Sequence, residues 1–390
     1  MRLTGYWVCV LVALLLTACG GAREATSATS LSEAALLGQE IFKDESLSAS
    51  GQMSCATCHD PSIGHASPFT SPVAFGGANF PNDTSAGVSG LRLPPAIRYL
   101  KFNAAFRIDA DGTPAGGFFW DGRANSLAEQ ARKPFLGANE MANADAQDVI
   151  NKLQLRPYAN RFKQLFGATI FNDPETALDR VAFALERYQM EDPDFAPFTS
   201  KFDAVNAGRA TFTEQELRGL TWFNRRDKGN CAACHPSTSA GNTPAALFTD
   251  FTYDSLGVPR NGNIAANATS SFFDMGLCGP ARTDLTQRTD LCGKFKVPSL
   301  RNVALRQRFF HNGAFGNLRD VVQFYVTRDL TPAVWYPGDV YDDLPANLRG
   351  NVNVTEGPYN RVPGQAAALS NAEIDDLVAF LRTLTDGFMQ

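Results

Sequence analysis

The sequence predicts a mainly α-helical chain of two helical domains with long irregular loops. Strand-like alternation is scarce over the 390 residues, while apolar residues recur at helical spacing in several segments. Two helix starts are explicit. Thr213-Glu214-Gln215-Glu216 and Ser370-Asn371-Ala372-Glu373 read as capping boxes, in which hydroxyl and carboxylate each satisfy a backbone N–H that the first turn leaves without a partner. The layout also repeats. A helical stretch runs into a Cys-x-x-Cys-His motif, a long loop follows, then further helices, and the series occurs twice. The break falls near EDPDFAPFTSKF (191–202), rich in proline and aspartate, giving domains at 32–195 and 196–390.

The elements follow in order. Residues 1–18 read as an export signal: Arg2 is a short positive region, and Trp7 to Leu16 is an apolar run too short to span a bilayer by itself. Leu16-Thr17-Ala18-Cys19 resembles a bacterial lipobox, which would leave a lipidated Cys19 at the mature N-terminus, anchored in the outer membrane for preference. Residues 19–31 are small and polar, a tether. Helices are expected at Ser32 to Phe42, at Ala146 to Leu155, and at Pro174 to Tyr188, where Pro174 suits a first turn. The helix opened by Thr213 is expected to run into the second Cys-x-x-Cys-His motif. The helix opened by Ser370 closes the chain, with Ile374, Leu377, Val378, Leu381 and Leu384 on one stripe. Gly/Pro/Asn-rich stretches at 61–95 and 236–299 read as loops. Loops of that length are uncommon in compact domains, unless a buried apolar group supplies surface the chain itself lacks.

Charge and cysteine usage narrow the chemistry. A net charge of −5 argues against a nucleic-acid binder or an anionic-membrane surface binder. Of eight cysteines, Cys9 and Cys19 belong to the leader. Cys55 and Cys58 lie in CATCH (55–59), and Cys231 and Cys234 in CAACH (231–235). A disulfide or redox pair is one reading of each. Zinc is another, but the two pairs lie too far apart in the chain for a compact finger. The third is c-type haem: two thiols add to the vinyl groups, and the adjacent histidine becomes the proximal iron ligand. Two such motifs in one exported chain select that reading. The domains are then cytochrome c-like, each holding one haem, with His59 and His235 on the irons. Cys278 and Cys292 remain, in GLCGPARTDLTQRTDLCG; in an oxidising compartment they pair across that polar loop, two free thiols being the alternative.

Four stretches go beyond the motif itself: LGQEIFKDESLSASGQMSCATCHDP (37–61), FFWDGRANSLAEQARKPFLGANEM (118–141), ELRGLTWFNRRDKGNCAACH (216–235) and FKVPSLRNVALRQRFFHNGAF (295–315). Over most of its mature length the chain resembles the bacterial dihaem cytochrome c peroxidases and their MauG branch. The resemblance implies reaction with hydrogen peroxide at the N-terminal haem, with electrons entering through the C-terminal one. It places the distal glutamine and glutamate ten and twenty residues after Trp120, at Gln130 and Glu140, with Glu140 as acid/base. It places Trp120 between the haems. It makes Tyr325, fourteen residues after His311, the distal ligand of the second haem, where simple peroxidases carry methionine. A phenolate oxygen there favours oxidised iron, whereas methionine favours reduced iron.

Three departures from the family pattern matter. The loop before GLRLPPAI (90–97) has no histidine to block the first haem, and His65 is the one spare nearby. Leu93 stands where calcium-binding relatives have an asparagine, and Arg306 and Arg308 precede His311, so calcium is doubtful. Gly229 stands where the MauG relay has a surface tryptophan; Trp222 and Trp335 are the other candidates. The electron source is then a small cytochrome c or cupredoxin, or a protein substrate oxidised in MauG fashion. The rival reading is a dihaem electron carrier without peroxide turnover, against which the Gln130/Glu140 spacing argues.

Overall fold

A computed structural model describes residues 30–71, 76–80, 89–241 and 243–389. The export signal, Cys19, most of the tether and much of the loop before GLRLPPAI lie outside the described residues. Residues 31–390 form one compact unit. Among the described residues, helices are the main regular structure and none is long and apolar enough to cross a membrane.

Two apolar clusters organise the unit, one drawn from residues 37–195 and the other from 202–384. Around the first lie α1 (Glu33–Lys43), α2 (Cys55–Cys58), α3 (Leu127–Leu136), α4 (Ala146–Leu153), α5 (Ala159–Phe166) and α6 (Pro174–Glu191). Around the second lie α7 (Lys201–Asn206), α8 (Glu214–Asn224), α9 (Leu318–Thr327), α10 (Pro332–Trp335) and α11 (Asn371–Arg382). The halves repeat one packing solution. α1 crosses α6 at Gly38, where a Cβ would lie 2.0 Å from the Ala184 carbonyl oxygen; α8 crosses α11 at Gly219, where a Cβ would lie 2.1 Å from that of Asp376. Only glycine allows backbones to approach so closely, so in each half the helix before the Cys-x-x-Cys-His motif is pinned to a later one.

The helix starts are as their caps dictate. The Ser32 hydroxyl accepts from Ala35 N–H (3.2 Å), Pro174 opens α6, and the Thr213/Glu216 and Ser370/Glu373 boxes are both closed. Such caps contribute about 1 kcal/mol each. Two expectations change. The helix opened by Thr213 does not run into CAACH. It stops at Asn224, and a turn follows in which Gly229 N–H donates to the Trp222 carbonyl and Asn230 takes a left-handed conformation (φ +49°). CATCH is likewise its own short helix rather than the end of α1. The loops hold two minimal ribbons: β1 (Arg107–Ile108) with β2 (Pro114–Ala115), and β3 (Tyr253–Asp254) with β4 (Phe295–Lys296), both antiparallel. In the second long loop Cys278 and Cys292 are joined, their Cα atoms 4.9 Å apart.

Candidate functional site

The first site grows from α2. Ser54 N–H donates to Thr57 Oγ1 (2.9 Å), and His59 N–H to the Cys55 carbonyl (2.9 Å), which fixes His59 as the cap of that turn. Burial lowers the His59 imidazole to about 4, with His65 nearby adding to the effect. It is therefore neutral, the form that ligates iron. Its Nδ1 is buried without a well-formed hydrogen bond and faces the His65 and Pro95 carbonyls. His65 is fully buried, stacks on Phe195 at 4.2 Å, and has its Nε2 against Asp194 Oδ2 at 2.7 Å. That pairing engages the one spare histidine of the region.

Glu140 sits in a tight turn after α3. Its N–H donates to the Gly137 carbonyl (2.9 Å), and Met141 N–H and Asn143 N–H reach back to the Pro134 and Phe135 carbonyls. Ala49 N–H donates to the Met141 carbonyl (2.8 Å), and Asn143 Nδ2 to the Leu47 carbonyl (2.9 Å), which ties this turn to the strand of chain entering CATCH. The Glu140 carboxylate consequently lies close enough to Cys55 and Cys58 to oppose ionisation of both thiols. Burial raises the Glu140 carboxyl above its ordinary value, with Arg123 partly offsetting this. Gln130 lies half-buried on α3, the helix that feeds this turn.

The second site is a cavity of about 180 Å³. Cys231, Cys234 and His235 line it together with Leu318, Val321, Val322 and Tyr325 of α9. His235 Nδ1 donates to the Phe248 carbonyl (2.8 Å), which leaves Nε2 with its lone pair free. Burial lowers this imidazole too, to about 4. Burial pushes the Tyr325 phenol well above its ordinary range, and the neighbouring Cys234 and Asp254 add to the rise. Its ring packs on Phe310 and Tyr359, at 5.9 and 6.2 Å between centroids. Tyr359 Oη donates to Asp254 Oδ2 (2.8 Å), a pair the sequence reading did not single out.

Trp120 lies on the wall of more than one cavity. It lines both this cavity and a smaller one facing Ala66, Leu93 and Pro95. Its indole N–H donates to the Leu93 carbonyl (2.7 Å), and its own carbonyl accepts from Lys296 N–H (2.9 Å). Beside it Asp121, fully buried, receives Arg92 (2.7 Å) and Arg123 (2.8 Å). Arg92 also forms a two-pronged pair with Asp274 (2.6 and 2.7 Å). Burial alone would raise Asp121, but the two arginines hold it below the ordinary carboxylate value. Leu93 N–H donates to the His311 carbonyl (2.7 Å). Trp222 donates to Asp376 (3.3 Å) under Arg225 and Lys228, and Trp335 packs on Phe315 and Phe324.

The residues fit covalently held haem at both motifs. Cys55, Cys58, Cys231 and Cys234 are free thiols, each pair precedes a buried neutral imidazole, and the second pair opens on an apolar cavity. Comparison with known proteins agrees. Residues 32–211 match the family model for di-haem cytochrome c peroxidase. The methylamine utilization protein MauG of Paracoccus denitrificans is 36% identical, over 96% of this chain and 94% of its own. The cytochrome c551 peroxidase of Nitrosomonas europaea is 28% identical over 74% and 71%. The crystal structure of the diheme peroxidase BthA from Burkholderia thailandensis superposes with a TM-score of 0.83 at 40% identity, covering 91% of this chain and 86% of that one. A haem-bearing oxidoreductase that acts on peroxide is what these sites and these likenesses describe, and the chain belongs to the dihaem cytochrome c peroxidase and MauG family.

Proposed function

We propose that this is an exported, periplasmic peroxidase, lipid-anchored through Cys19, in which the His59 site reduces hydrogen peroxide and the His235 site passes electrons to it. The half-buried Glu140 carboxyl beside Cys55 and Cys58 carries this reading. An electron carrier has no use for a raised carboxyl at that place, whereas peroxide cleavage needs a proton moved from one oxygen to the other. A haem bound at His59 supplies redox-active iron at which peroxide is reduced to water by two electrons. The protein's part is positioning and proton handling. Glu140 takes the proton on a carboxylate oxygen and returns it to the leaving oxygen. Gln130 offers an amide N–H to the bound peroxide. His65, held by Asp194, leaves the far side of the His59 site uncontested. Trp120, fixed at both its indole and its carbonyl, offers an aromatic stepping point between the sites.

In this reading Tyr325 would help hold the haem at the second site through its phenol oxygen. Its phenol is held protonated by burial, so a phenolate there requires a cation opposite, which ferric iron provides. A hard oxygen ligand holds the second site at low potential. Together with the greater likeness to MauG than to the cytochrome c551 peroxidase, that favours oxidation of a protein partner over simple detoxification; a small cytochrome c or cupredoxin is the other source of electrons. Calcium is not required in this reading: the Leu93 side chain offers no ligand, and Arg92 supplies positive charge to Asp274 and Asp121.

Glu140→Gln tests the proton role. Both haems should be retained, and the rate of reaction with peroxide should fall by about two to four powers of ten. Because burial raises the Glu140 carboxyl, the ionised base accumulates only above the ordinary carboxylate range. The acid limb of the wild-type pH–rate profile should therefore lie above that range and vanish in the variant. Wild-type rates in Glu140→Gln would contradict the assignment.

A further inference from the structure

The smaller cavity beside Trp120 is a cationic pocket. Arg98, Lys296, Arg301, Arg306 and Arg308 line it, and no aspartate or glutamate does so among the described residues. Two of these charges are answered elsewhere: Arg98 pairs with Asp194 and Asp386, and Arg301 with Asp203. Arg308 lies near the rim, its Nε bonded to the Thr70 carbonyl. Arg306 and Lys296 differ. Arg306 Nη2 donates to the Ser299 carbonyl (2.6 Å), its Nε is buried without a partner, and it takes part in no ion pair among the described residues. Lys296 Nζ donates to the Gly117 carbonyl (2.6 Å) and, among the described residues, takes part in no ion pair. Burial pulls both groups below their ordinary values, Arg306 to about 10 and Lys296 to about 7, with Asp121 partly offsetting the fall for Lys296. Other buried arginines of the unit do have carboxylates: Arg92, Arg282 and Arg328 pair with Asp274, Asp284 and Asp329.

A charge left without a counter-ion in a protein wall is costly, and Arg306, its Nε buried and unpartnered, with Lys296 beside it gives this wall a positive character suited to an anion. Its location says which. Arg306 and Lys296 also line the larger cavity that holds Cys231, Cys234, His235 and Tyr325. Arg306 is near enough to His235 for its charge to bear on that imidazole. A haem seated there carries two propionate carboxylates on one edge, and its thioether edge is already fixed by the cysteines. We propose that Arg306, backed by Lys296, is the counter-ion of a propionate of the His235 haem and holds that edge against Trp120. The proposal rests on the reading that Cys231, Cys234 and His235 hold this haem. Arg306 is then a positioning residue. It draws the haem edge toward Trp120, and its charge raises the tendency of the second haem to accept an electron.

The test is a spectroelectrochemical titration of the fully loaded protein, following each haem separately. Arg306→Gln keeps an amide able to bond the Ser299 carbonyl and removes the charge. Its His235 haem should become harder to reduce, by about tenfold in the reduction equilibrium constant, as expected for one unit charge about a nanometre away at an effective dielectric near 20. Arg306→Lys keeps the charge and should stay near the wild-type midpoint. An unchanged midpoint in Arg306→Gln would overturn the proposal, as would an Arg306→Lys shift as large as that of the glutamine variant. In both cases two covalent haems and a wild-type axial spectrum would leave the site reading itself intact. Absence of covalent haem at Cys231 and Cys234 in the wild type would instead overturn that site reading.

Discussion

Near the thiols of the first motif lies a carboxyl, Glu140, raised by burial; near those of the second lie phenols, Tyr325 and, packed on it, Tyr359 bonded to Asp254. Both imidazoles are buried and neutral, and both follow a pair of free thiols. The difference lies in what the later segments bring near each motif. In the first half that segment is α3 and its tight turn; in the second it is the apolar stripe of α9. In the proposed reading one motif supports two chemistries: a carboxyl would carry a proton to a small substrate, while a phenol on a helix would help hold the second haem. The motif identifies the cofactor, and the partner segment decides the use.

The largest effect should come from the motif itself. Replacing both Cys55 and Cys58 by serine should leave one covalent haem where the wild type has two, read as haem content per chain and by haem staining on denaturing gels. Retention of two would mean that the first site does not hold its haem through these thiols, and the comparison between sites would collapse. A smaller, sharper effect is expected at the second site. Tyr325→Met should replace a hard oxygen ligand by a thioether. The ferric spectrum should gain the weak red band of sulfur ligation, and the second haem should become easier to reduce. A wild type that already shows that band would assign the distal position to a methionine and make the two halves more alike than described here.

Much of this was legible in the chain. Both Cys-x-x-Cys-His motifs, the Ser370 and Thr213 caps, the first-turn Pro174 and the Leu318–Tyr325 stripe are local signals, readable because their physics acts over a few residues. α3 was not read as a helix: its ten residues include Pro134, and its apolar positions Leu127, Ala131 and Phe135 make a short stripe. The turn that separates α8 from CAACH depends on a left-handed Asn230, which periodicity cannot report. The Arg92–Asp121–Asp274 cluster joins residues from distant parts of the chain, and long-range ion pairs leave no pattern in one sequence. Arg306 was visible as a departure before His311, but that it lacks a carboxylate and faces two cavities required coordinates.

The division of labour itself is tested most directly by adding hydrogen peroxide to the fully oxidised protein, with no reducing agent, and recording the absorption spectrum. His65 is engaged by Asp194 and no histidine occurs in 80–92, so the His59 site should react at once, without prior reduction of the second haem. A spectrum that stays unchanged until the protein is half-reduced would contradict the account, because it would mean that a ligand blocks the first iron until the second has taken up an electron.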